Sequence, residues 1–111
     1  MRWSGIFGSD AFRNHARRAL DLIRQAQPRT VLADATGLAE IDPDDRNWLK
    51  TVWLPAAASL GVTAAAVVLP RYRSGRRAVE QVNAGFSRRS LRIASFGARP
   101  SAAAWLRAAA A

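Results

Sequence analysis

Two groups of residues in this 111-residue chain have the types and spacing for binding chemistry. One is acidic: Asp34 and Thr36 in ADATG, then Asp42 and Asp44 in IDPDD. The other is basic: Arg71, Tyr72 and Arg73 in PRYRS. Asp34 with an Asp-x-Asp pair could offer oxygen ligands to a hard cation, but such sites need more ligands and a defined geometry, so no metal is expected. Each group also has a plainer use. Asp42, Asp44 and Asp45 suit the first turn of a helix, and Arg71 and Arg73 suit a solvated loop. Trp48 and Trp53 stand at helical spacing, which fits either the wall of an apolar pocket or ordinary core.

Nothing else in the chain assembles a catalytic set. There is no cysteine and one histidine, and no Gly-rich phosphate loop or paired nucleophile and base is present. His15 lies off the apolar stripe of its helix and is expected to face solvent. No catalytic residue, enzymatic activity or cofactor is therefore expected. The N-terminus has no apolar run of signal-peptide length, so a cytoplasmic location is the default.

The net charge is +9, and its distribution is uneven. Arginines crowd residues 71–99, whereas acids gather between Val31 and Pro55. A basic surface attracts nucleic acid or anionic lipid, or simply solubilises an alanine-rich protein. The basic segment carries no nucleic-acid recognition motif, which ranks that partner low.

Those residues must be held by regular elements. In SDAFRNHARRALDLIRQAQP, Phe12, Ala16, Ala19, Leu20 and Ile23 form one apolar helical stripe, stopped by Pro28. Val31 to Ala35 reads as a buried strand ended by a Thr-Gly turn. Asp42 as cap and Pro43 in the first turn open a second helix that Gly61 ends, and interior Pro55 predicts a kink. The uncharged stretch Thr51–Pro70 is long enough for a membrane span, but Pro55, Gly61 and Pro70 interrupt it. It reads instead as a helix end, a turn and a core strand. A third helix, capped by Ser74, runs to Gly85. Leu91 and Ile93 mark a fourth strand, and a last helix starts at Pro100 or Ser101. With Arg2–Phe7 as the first strand, the order is β-α-β-α-β-α-β-α. That alternation predicts one α/β domain with a mostly parallel four-stranded sheet and covering helices.

Four segments resemble one family: W-S-G…F-R at Trp3–Arg13, VLADATGLAEIDPDDRNWL at 31–49, WLPAAASLGVTAAAVVLP at 53–70, and AVEQV…F…AAAWL from Ala78 to Leu106. Together they resemble the STAS-like (SpoIIAA-like) family of small bacterial proteins. That family shares its fold with anti-sigma factor antagonists and sulfate-transporter regulatory domains, and is similar to CRAL-TRIO lipid carriers. The resemblance accounts for Pro55, since members carry a Trp-x-Pro-like step in this helix. Members usually have a strand before the Trp-x-Gly segment, so either the sheet is one strand short or the sequence omits it. In both cases a partner or a second copy could complete the edge near Trp3. The antagonists' phosphorylated serine falls at Ile41-Asp42-Pro43-Asp44, where there is no hydroxyl, and Thr36 matches the preceding strand end instead. No phospho-switch is expected.

The resemblance implies a non-enzymatic regulatory module. It would dock a protein partner through the surface around Asp34–Trp48, with the basic Arg71–Arg77 loop matching the partner's charge. The alternative it implies is a carrier of a small nonpolar ligand held near Trp48 and Trp53. Arginine-mediated nucleic-acid binding ranks third.

Overall fold

A computed structural model describes residues 2–5, 9–38, 40–86 and 90–110. At 2–5 and 9 it describes the backbone alone. The Trp3 side chain and the expected strand end at Phe7 lie outside the described residues.

The elements alternate along the chain: β1 (Arg2–Gly5), α1 (Ser9–Ala26), β2 (Thr30–Leu38), α2 (Pro43–Trp48), a π-helical turn (Leu49–Trp53) and α3 (Leu54–Ser59). They continue with β3 (Ala64–Val68), α4 (Arg73–Ala84), β4 (Arg92–Phe96) and α5 (Arg99–Ala110). The α/β class with a parallel sheet is as expected. Strands β2, β3 and β4 form a continuous parallel ladder, Ala33 lying opposite Val67 and Val67 opposite Ser95. β1 runs parallel beside the far half of β2 with one register irregularity. The order across the sheet is β1-β2-β3-β4.

Strands laid down in sequence order and joined by same-handed crossovers put every connecting helix on one face. Phe12, Ile23, Trp53, Leu54, Ala57, Val79 and Val82 accordingly share one buried cluster. Helix α5 follows the last strand and covers the opposite face, with Ala102 and Leu106 against Ala64, Ala66 and Val68. β3 therefore alternates between two cores, and Ala65 and Val67 belong to the first.

Local details differ from the expectation in instructive ways. β2 does not stop at the Thr-Gly pair, because Gly37 and Leu38 pair with Ser4 and Gly5 of β1. Ser74 does not cap α4; Tyr72 occupies the N-cap position, with no side-chain bond to the helix. Asp42 caps α2 as expected, accepting a hydrogen bond from the Asp44 N–H at 3.0 Å. Gly61 ends the helical run at φ +101°, a conformation that costs a side-chain-bearing residue strain. Pro55 does not break the helix. It has no N–H, and its ring would crowd the Thr51 carbonyl of a regular α-turn. The chain widens instead, and the Leu54 N–H reaches back five residues to the Leu49 carbonyl.

Candidate functional site

The two tryptophans have separate fates. Trp48 is half-buried and packs at the margin of the core, with the guanidinium groups of Arg13 and Arg17 at 5.2 and 5.7 Å from its ring. Beneath them, Arg13 Nε donates to the buried Asp45 carboxylate at 2.7 Å. Asp45 is thus a packing residue of the α1–α2 contact, a role its position in a helix first turn did not suggest. Trp53 points inward, and its indole N–H donates to the Ala16 carbonyl at 2.7 Å.

That bond holds the largest core side chain against α1 rather than down on the sheet. The facing strands carry small residues, Ala33 and Ala35 on β2 and Ala65 on β3. The result is a cavity of about 90 Å³ between the sheet and the helices over it. Its floor includes Val31, Ala33, Ala65, Val67 and Ile93, and its roof includes Phe12, Leu49, Trp53, Val79 and Val82. The π-turn shapes this roof, since Leu49 and Trp53 are its first and last residues. Among the described lining residues, Asn83 is the one with a polar side chain apart from Trp53, whose N–H is already bonded. Walls of this kind offer water no partners, so such a space stays dry. Left empty, it would cost about 2 kcal/mol at ~24 cal/mol per Å³ of void.

A second concavity lies at the carboxyl ends of the strands, where open parallel sheets place their sites. This groove of about 860 Å³ runs between the start of α2 and α4. Glu40 and Asp42 line it together with Arg46, Arg73 and Arg77. Among the described residues, no ion pair joins these acids to these arginines. Arg46 donates through Nη1 to Gln81, while its buried Nε has no partner.

The sequence-derived candidates divide among these places. Asp42 and Arg73 meet in the groove. Asp44 is exposed and absent from the groove lining, as is Tyr72, which is 54% exposed. Asp34 is buried and committed to the fold: its Oδ1 accepts from the Thr36 hydroxyl at 2.7 Å and the Thr36 N–H at 3.1 Å. Arg99 of α5 reaches its other oxygen at 3.4 Å. The Thr36 carbonyl in turn accepts from both the backbone N–H and the Nε of Arg71. Trp53 lines the cavity, whereas Trp48 does not. Sequence reasoning did not single out Asn83 or Arg46, and reached Arg77 only as the end of the basic Arg71–Arg77 loop. A signal for Asn83 was present, because it stands one helical turn after Val79 and interrupts an otherwise apolar face.

Among the described residues, no group of three His, Cys, Asp or Glu side chains could hold a metal ion, and no helix is long and apolar enough to cross a membrane. No family model matches the chain, and neither a curated protein nor a solved structure matches it.

Proposed function

We propose that this chain is a non-enzymatic, cytoplasmic binding module that holds a small nonpolar molecule between its sheet and the helices over it. The observation that carries the reading is the dry cavity beneath Trp53. A ligand filling it would recover the contacts its walls now lack, and burial of the ligand's apolar surface would supply the affinity. The STAS-like assignment, with its likeness to CRAL-TRIO carriers, belongs to the same reading. Supporting it are the parallel sheet and the helices gathered over one face.

Xenon enters dry apolar cavities and tests the reading whatever the natural ligand is. A crystal pressurised with xenon is expected to show the gas between Ala65 and Trp53. A crystal that takes xenon only at surface positions would contradict the proposal.

One observation favours a second reading, in which the chain docks a protein partner as STAS-like modules do. The groove between α2 and α4 presents both signs of charge, unpaired with each other among the described residues. Such a surface suits a partner of complementary charge pattern. Its salt dependence separates it from arginine-driven nucleic-acid binding, which should weaken steeply and regardless of sequence as salt rises.

A further inference from the structure

Resting on the second reading, in which a protein partner docks in the groove between α2 and α4, we propose that the groove takes a segment of mixed charge. Its carboxylate is set between Arg73 and Arg77, and a neighbouring cationic side chain is set against Glu40. The two arginines stand four residues apart on α4 and line the groove in one stripe with Gln81, the next position at that spacing. Both are exposed, and among the described residues neither guanidinium has a hydrogen-bond or ion-pair partner. Arg76 beside them is committed to the Pro70 carbonyl at 2.9 Å. Across the groove Arg46 is tied to Gln81 through Nη1, and its buried Nε lacks an acceptor.

This placement works against the helix that carries it. Like charges four residues apart on a helix repel. Arg73 and Arg77 also stand at the start of α4, the positive end of the helix dipole, where acids are favoured. The first turn of α4 holds no acid, and Tyr72 at the N-cap gives it no side-chain bond. A carboxylate between Arg73 and Arg77 relieves both costs and suits the planar guanidinium fork. The remaining charges decide what bears that carboxylate. Glu40 and Asp42 line the same groove, and Asp42 is already engaged as the cap of α2. A nucleic-acid backbone, negative at every step, would be repelled by these acids. A protein segment can carry both signs and match both walls.

The probe is the capped hexapeptide acetyl-Glu-Lys-Glu-Lys-Glu-Lys-amide, whose zero net charge gives the basic chain no general attraction for it. A decathymidylate oligonucleotide is the comparison. Dissociation constants come from ¹H–¹⁵N NMR titrations at physiological salt. Arg77→Gln and Glu40→Gln, both at exposed positions, are each expected to weaken the peptide by about threefold to fivefold, the worth of one exposed ion pair. Arg107→Gln, on α5 across the sheet, should leave it unchanged. The sign of the Glu40 effect decides, because removing an acid from a site for anions alone would tighten binding. Weakening by Arg77→Gln but not by Glu40→Gln overturns the mixed-charge assignment and leaves docking in the groove in place. A peptide that does not bind, or that neither groove substitution affects, overturns the docking reading as well. An oligonucleotide that outbinds the peptide, and binds Glu40→Gln more tightly still, overturns the proposal in favour of a nucleic-acid backbone.

Discussion

The indole N–H of Trp53 donates to the backbone carbonyl of Ala16 at 2.7 Å, joining the π-turn to the middle of α1. Both groups are buried, and the bond fixes which way the largest core side chain points. The cavity is a consequence of that choice. Trp53 braces α1, and the alanines of β2 and β3 do not fill the space beneath it.

Trp53→Phe keeps most of the ring and loses the donor. It is expected to cost about 1 kcal/mol in urea unfolding, the net value of one hydrogen bond. Trp53→Ala should cost ~3–5 kcal/mol, because it removes buried contacts and enlarges an existing void.

Arg13 and Arg17 both lie over Trp48, but only Arg13 also pairs with Asp45, whose side chain is 3% exposed. Arg13→Met should therefore destabilise by about 2 kcal/mol, as expected for a hydrogen bond to a buried charged group. Arg17→Met should change stability by less than about 1 kcal/mol. Comparing urea midpoints at unchanged slope checks the difference. Equal effects would show that the ring contacts, not the Asp45 pair, hold α1 to α2.

Asp34 stands near a strand end, which makes it a binding candidate, but the fold uses its carboxylate internally. Asp34→Ala is expected to lower stability by about 2 kcal/mol, by leaving the half-buried Thr36 hydroxyl and N–H without their acceptor. A variant as stable as the wild type would return Asp34 to the residues kept for a partner.

Ala65 sits on the cavity floor. Filling a void commonly raises stability, so Ala65→Leu is expected to gain about 1 kcal/mol. In a filled core the same change would overpack and cost ~1–3 kcal/mol. The sign of the change in urea midpoint distinguishes the two.

Periodicity made much of this arrangement legible. The stripe Phe12, Ala16, Ala19, Leu20 and Ile23 is buried as its spacing required, and Asp42 and Gly61 bound the second helical run. Signals failed where a distant segment intervened. β2 outruns its Thr-Gly pair because β1 pairs there, and the two tryptophans separate because Trp48 lies under Arg13 and Arg17 of α1 while Trp53 bonds the Ala16 carbonyl. The cavity was legible only as an alternative, an apolar pocket near Trp48 and Trp53, and its shape was not. Alanine on a strand signals a small side chain, and only the position of Trp53 above it turns small size into empty space. Groove residues such as Arg46 and Gln81 were equally hidden, since their helices meet only in three dimensions.

The most direct measurement follows ¹H–¹⁵N NMR spectra of the wild type and Ala65→Leu through the same 1-chloropropane titration. The account requires saturable shifts at Phe12, Val79 and the Trp53 indole in the wild type, absent when leucine fills the floor. Shifts scattered over exposed positions, or identical in the two proteins, would contradict it.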